Sequence, residues 1–140
     1  MRYKQGKYIP RLPRKYKGDP RNIVYRSSWE YKFMLWCDQT SSVTEWCSEE
    51  IAVPYISPLD NKRHKYYPDF YVKVNNKKYM VEVKPAKQTR EPKVQKKVTK
   101  RYITEVVTYA KNQAKWNAAK EFCKDYGWEF MLITEKELKV

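Results

Sequence analysis

Two short strings, Tyr67-Pro68-Asp69-Phe70 and Val81-Glu82-Val83-Lys84, flank an Asn75-Asn76 pair, and they constrain this chain more than any other stretch. The segments from Tyr66 to Val74 and from Lys77 to Lys84 are rich in Tyr, Phe and Val and alternate with period two, so both read as strands. Asn-Asn supplies the positive φ that a tight primed turn demands. With a two-residue loop Val74 faces Lys77, which puts Asp69 opposite Glu82. Opposed residues share a face, and Lys84, two positions on, points the same way. Phe70, Val72, Val74, Tyr79, Val81 and Val83 then form a core face on the other side. Were the turn Asn76-Lys77, Asp69 would oppose Lys84 instead, and the same three groups would still gather. Two carboxylates and an ammonium on one face can hold a divalent ion beside a phosphate.

Asp is depleted from strands, and two facing acids repel unless a cation lies between them. Lys84 can supply that charge as a structural partner, a bound metal can supply it functionally, and the two are compatible. Glu-Val-Lys alone carries little weight, because alternating Glu and Lys is what a half-solvated strand looks like. Glu30 is balanced between two roles. Ser27-Ser28-Trp29-Glu30 fits a capping box worth about 1 kcal/mol of helix stability. The same residue could instead project from a first helical turn toward the sheet and complete the acidic cluster.

The partner class follows from charge. Among 140 residues, 30 Lys plus Arg stand against 16 Asp plus Glu, a net charge of +14. Aromatics reach 16% and only 3 residues are Gly, so the basic character belongs to a folded domain that meets a polyanion, in practice nucleic acid. Charge by itself does not separate an enzyme from an architectural binder. Cys37, Cys47 and Cys123 are widely spaced and only His64 offers an imidazole, which argues against zinc and for small core residues in a reducing cytoplasm. No apolar run approaches the ~20 residues of a membrane span, so no membrane partner is expected.

From residue 1 to residue 26, nine cations (Arg2, Lys4, Lys7, Arg11, Arg14, Lys15, Lys17, Arg21 and Arg26) face Asp19, and Pro10, Pro13 and Pro20 interrupt any helix. This reads as a basic, extended and mobile arm, followed by a single domain over 27–140. Ser28 to about Gln39 reads as a helix with Trp29, Phe33, Trp36 and Cys37 on its apolar stripe. Val43–Trp46 and Ile51–Tyr55 read as strands, the second with a Pro54 that suits an edge. After the central hairpin comes a polar loop, then a long helical pattern broken near its middle, whose second half buries Trp116, Ala119, Phe122 and Cys123 and stops at Gly127. Trp128–Ile133 is a final strand. The order α-β-β-β-β-α-β describes an α/β fold, a mixed β-sheet flanked by helices. Eight cations between Lys84 and Arg101 face only Glu91. Of these, Lys87, Arg90, Lys93, Lys96, Lys97, Lys100 and Arg101 are candidate DNA-binding residues, making phosphate contacts that give affinity without reading bases. Tyr102, Tyr109 and Trp116, at helical spacing, read as core.

Pro68-Asp69 followed by Glu82-x-Lys84, with Glu30 upstream on a helix, resembles the PD-(D/E)xK nuclease superfamily, and Arg26-Ser27-Ser28-Trp29-Glu30 looks like the opening of its TnsA-type transposon endonucleases. From Val24 through Leu138, strings such as Ser48-Glu49-Glu50, Gln88-Thr89, Thr99-Lys100-Arg101-Tyr102, Lys115-Trp116-x-Ala118-Ala119-Lys120 and Gly127-Trp128 resemble the small head-completion nucleases of T-even-type tailed phages. The resemblance implies a restriction-endonuclease-like core and a metal-dependent endodeoxyribonuclease whose catalytic residues are Glu30, Asp69, Glu82 and Lys84. It implies that Asp69 and Glu82 hold Mg²⁺, with Mn²⁺ as a substitute, that Glu30 adds a ligand directly or through water, and that Lys84 orients the attacking water. Double-stranded DNA is the implied partner, along with phage head or neck proteins. The implied setting is the cytoplasm of an infected bacterium or the virion. The alternative is a basic DNA-binding head-completion protein that catalyses nothing and needs the charge but not the acids.

Overall fold

The protein is described here by a computed structural model covering residues 5–139, so Arg2 and Lys4 of the basic stretch lie outside the described residues. Its centre is a four-stranded mixed sheet of β3 (Val43–Ser48), β6 (Phe70–Val74), β7 (Lys77–Val83) and β8 (Glu129–Ile133), in the order β3-β6-β7-β8. The first two pairings are antiparallel and β7–β8 is parallel. Val74 pairs with Lys77 and Phe70 with Val81, the register expected for an Asn75-Asn76 turn, and both asparagines have positive φ, 49° and 67°. A two-stranded sheet of β4 (Val53–Ile56) and β5 (Arg63–Tyr66) stands beside it. Pro54 lies in that small sheet, exposed.

Helices cover both faces of the central sheet. The helix α1 (Ser28–Gln39) packs over Phe70, Val72, Val81 and Val83, with the Phe33 and Phe70 rings 4.6 Å apart. On the opposite face α2 (Lys100–Tyr126) buries Trp116, Ala119 and Cys123 against Met80 and the small sheet. Within α1 the buried stripe is Phe33, Met34, Cys37 and Asp38, while Trp36 is 44% exposed, contrary to its expected core role. The α2 helix is unbroken over its 27 residues, which corrects the expected mid-helix break. No Gly or Pro falls between Lys100 and Tyr126, so nothing local interrupts it. The periodicity fades because the first half lies off the core: its buried residues begin only at Asn112, and Ile103 and Val106 are exposed. Tyr102 and Tyr109 are accordingly half-buried, and of the three aromatics only Trp116 is core. Gly127 ends the helix in the left-handed region at φ 73°, and Thr134 and Glu137 cap the short α3 (Glu135–Leu138). No helix among the described residues is long and apolar enough to cross a membrane.

The basic stretch before Ser27 is not a loose arm among the described residues. The strand β1 (Gly6–Tyr8) pairs antiparallel with β2 (Ile23–Tyr25), and Tyr8, Tyr16 and Ile23 are all buried in the main core. The rings of Tyr8 and Tyr16 meet Trp46 edge-on at 5.9 and 4.8 Å. Charge and proline content concealed this, because the apolar anchors are spaced singly between the cations.

Asp38, only 1% exposed, ties the stretch to α1. Its carboxylate accepts from the Tyr8 hydroxyl at 2.7 Å and from the backbone N–H groups of Arg11 and Leu12 at 2.7 and 3.0 Å. Lys15 donates to the carbonyls of Cys37 and Asp38 at the end of α1 and of Thr40, its C-cap. Burial pushes the Asp38 pKa up, but these hydrogen bonds and the Lys15 charge outweigh it and hold the carboxyl below the ordinary value. A depressed carboxyl contributes stability that is complete above its unfolded pKa and lost as pH falls through the folded one. Asp38→Ala is expected to cost about 2–4 kcal/mol at pH 7, because it strands the buried Tyr8 hydroxyl and two part-buried backbone N–H groups. Urea melts should show that difference narrowing only below about pH 4.

Candidate active site

Pro68 has no N–H to donate to a ladder, and the chain leaves the small sheet after Tyr66 and enters the central one at Phe70. The expected single strand from Tyr66 to Val74 is therefore two strands with a bend, and Asp69 sits at that bend. Asp69 and Glu82 are still interlocked across the hairpin. The Asp69 N–H donates to Glu82 Oε1 at 3.2 Å, and the Val83 N–H donates to Asp69 Oδ2 at 2.8 Å. Lys84 Nζ is 3.9 Å from Glu82 Oε2. The three groups foreseen at the hairpin converge.

Glu82 is 5% exposed and Asp69 half-buried. Burial pushes the Asp69 carboxyl well above the ordinary range, and the neighbouring Glu82 charge pushes it the same way. Burial likewise raises Glu82, against the opposing pull of the Lys84 ammonium and the Tyr66 hydroxyl. These are acids short of positive charge.

Glu30 occupies both roles open to it in part. The Ser27 side chain accepts from the Glu30 N–H at 3.2 Å, so Ser27 is the N-cap. The return bond of a capping box is displaced by one residue: Glu30 Oε1 accepts from the Arg26 N–H at 3.2 Å and not from Ser27. Burial raises the Glu30 pKa, and the charges of Glu49 and Glu82 add to it. Among the described residues no three acidic, histidine or cysteine side chains close into a metal cage, and the Glu82 charge puts Glu30 in electrostatic reach of the Asp69–Glu82 pair.

Four further groups at the site escaped sequence reasoning. Arg26 makes a bidentate pair with Glu49, both N···O distances 2.9 Å, and the charges of Glu30 and Asp69 also bear on it. Glu49 takes a left-handed φ of 55°, and its N–H donates to the Asp69 carbonyl at 3.1 Å. Tyr66 is buried, and its hydroxyl, which has no well-formed hydrogen bond, senses the Glu82 charge. Lys115, on α2, has its Nζ 5.6 Å from the Tyr66 ring centroid. The signal for three of them lay in the strings Arg26-Ser27-Ser28-Trp29-Glu30, Ser48-Glu49-Glu50 and Lys115-Trp116, which carried a resemblance but no role.

A family model described as the TnsA-like endonuclease N terminal matches residues 40–135. The chain belongs to the TnsA-like endonuclease family. The head completion nuclease of Enterobacteria phage T4 is 34% identical over 139 residues, covering 96% of this chain and 93% of that protein. The family match takes in Asp69, Glu82, Lys84 and the cationic loop, whereas Arg26 and Glu30 precede it. For a TnsA-like endonuclease the mixed sheet flanked by helices is the restriction-endonuclease-like core that the sequence pointed to. The donor set also fits a hard divalent cation. Carboxylate oxygens are what Mg²⁺ prefers, and Mg²⁺ is ordinarily held by one or two carboxylates plus water, so a pair suffices where a full cage is absent.

The cationic loop lies along the first turns of α2. Lys87, Arg90, Lys93, Lys96, Lys97 and Arg101 line one groove there with Tyr102 and Tyr109. Lys100, at the first turn of α2, is exposed. The loop is anchored on the site side, where the Ala86 N–H donates to Glu135 Oε1 at 2.7 Å.

Proposed function

We propose that this endonuclease hydrolyses duplex DNA with Mg²⁺, which Mn²⁺ can replace, and that it does so in phage head completion inside the infected bacterium or on the virion. The observation that carries the reading is the Asp69–Glu82 pair, Glu82 buried and Asp69 half-buried, locked across the hairpin and short of positive charge, with Lys84 beside Glu82. Likeness to a head completion nuclease supports the biological setting, and phage head or neck proteins are the partners it suggests.

Asp69 and Glu82 would hold the ion, with Glu30 acting through water. Bound there, a divalent ion lowers the pKa of water and neutralises charge on the phosphate. Lys84 orients the attacking water and meets the charge that builds on the phosphoryl oxygens. Arg26, pinned by Glu49, is placed to hold the neighbouring backbone. The groove cations track phosphates without reading bases, so binding should weaken steeply with salt and show little sequence preference. The packing of Tyr8, Tyr16 and Ile23 in the main core supports counting residues 5–26 within the catalytic domain.

Calorimetric titration of the DNA-free protein with Mn²⁺ tests the metal assignment. Binding heat should disappear in Asp69→Asn and Glu82→Gln, and Glu30→Gln should weaken binding about 10- to 100-fold, as for a group acting through an outer contact. Unchanged binding in both pair variants would dismiss the site.

A further inference from the structure

Lys115 lies on α2, half-buried, beside the helix's buried anchor Trp116. Its Nζ stands 5.6 Å from the Tyr66 ring centroid and 6.0 Å from that of Tyr55. Strand alternation explains the cradle. Val53 pairs with Tyr66 and Tyr55 with His64, so Val53, Tyr55 and Tyr66 share the face that α2 covers. Met80, packed with Tyr66 and Trp116, and Glu82 are two apart on β7, so Glu82 points to the face of the sheet that α2 covers. None of the ion pairs among the described residues includes Lys115. Burial lowers its pKa, the Lys111 charge lowers it further, and Glu82 and Asp69 act in the opposite sense, so the ammonium feels the acids of the site from the helix side.

We propose that Lys115 is a second active-site ammonium, held by the Tyr55–Tyr66 pair to contact the scissile phosphate from the α2 side of the sheet. The inference rests on the function proposed above. Once a divalent ion balances Asp69 and Glu82, Lys84 and Lys115 are both left without an acidic counter-charge, and the phosphate supplies one. In the hydrolysis, water forms the new P–O bond, one ester P–O bond breaks, and a proton from water ends on the departing sugar oxygen. The phosphoryl oxygens gain charge during that exchange, and a fixed ammonium stabilises them. Aromatic faces orient the cation without neutralising it, which a carboxylate partner would do.

Three proteins are compared on one duplex: Lys115→Gln, Lys115→Arg and Asp69→Asn. Lys115→Gln should cut about 100-fold more slowly in single turnover at saturating Mg²⁺, with DNA affinity in EDTA changed less than about threefold. Lys115→Arg should recover to within about tenfold of the parent. A merely packing role would instead lower thermal stability equally in both and leave the single-turnover rate alone. Independently of activity, amine labelling of the parent protein in EDTA should find Lys115 several-fold protected by bound duplex. Lys115→Gln cutting within twofold of the parent while Asp69→Asn is inert overturns the Lys115 role alone. Active Asp69→Asn overturns the underlying site instead. Should Lys115→Gln fail to fold, the labelling decides, and equal labelling with and without DNA sinks the proposal.

Discussion

Asp69→Asn is expected to abolish DNA cleavage, by at least about a thousandfold in single turnover, while leaving the fold intact and more heat-stable without metal. The amide keeps the shape of the side chain and an oxygen that can accept from the Val83 N–H, now 2.8 Å from Asp69 Oδ2. What it loses is the negative charge, which burial and Glu82 already disfavour in the folded protein. A carboxyl raised on folding binds more protons folded than unfolded, so metal-free stability falls as pH climbs from the unfolded pKa through the folded one. Asn removes that penalty. Scanning calorimetry in EDTA at pH 7 should show a higher melting temperature for Asp69→Asn, and the advantage should shrink toward pH 4. Activity loss accompanied by a lower melting temperature would mean that the residue serves the fold and not the chemistry.

Deleting residues 1–26 should unfold the domain. The cut removes Tyr8, Tyr16 and Ile23, each at most 6% exposed, and leaves Trp46 without its two edge-on tyrosines. At about 1.5–3 kcal/mol per buried side chain, the loss rivals the whole ~5–15 kcal/mol margin of a typical domain. It also strands Asp38, a buried carboxylate, without its three donors. Circular dichroism and urea melts should report little or no cooperative transition, and any loss of DNA binding in that protein would reflect unfolding and not missing phosphate contacts. A truncated chain melting within 1 kcal/mol of the parent would show that the stretch is dispensable after all.

The two changes differ in kind because the site and its support are legible to different degrees. Parity along Phe70–Val74 and Lys77–Val83 is a covalent property of alternating backbone, and Asn75-Asn76 sets the loop length, so the Asp69–Glu82–Lys84 grouping could be read before any coordinates. Ser27 as an N-cap and Gly127 as a helix stop were equally local. The break at Pro68 was local too, yet it was hidden under a run of apolar and aromatic residues that looks like one strand.

Sequence alone determined the hairpin, the face shared by the acidic pair and its amine, and the polyanion as partner, because each depends on contacts a few residues apart or on composition, while the structure chose between the two registers the turn allowed. Tertiary structure decided the rest. The docking of residues 5–26, the Arg26–Glu49 clasp, the aromatic cradle of Lys115 and the displacement of Glu30's hydrogen bond to Arg26 involve which faces α1, α2 and the small sheet turn to each other. Those choices come from close packing of Trp46, Phe70, Met80 and Trp116 in three dimensions, and no spacing along the chain encodes them.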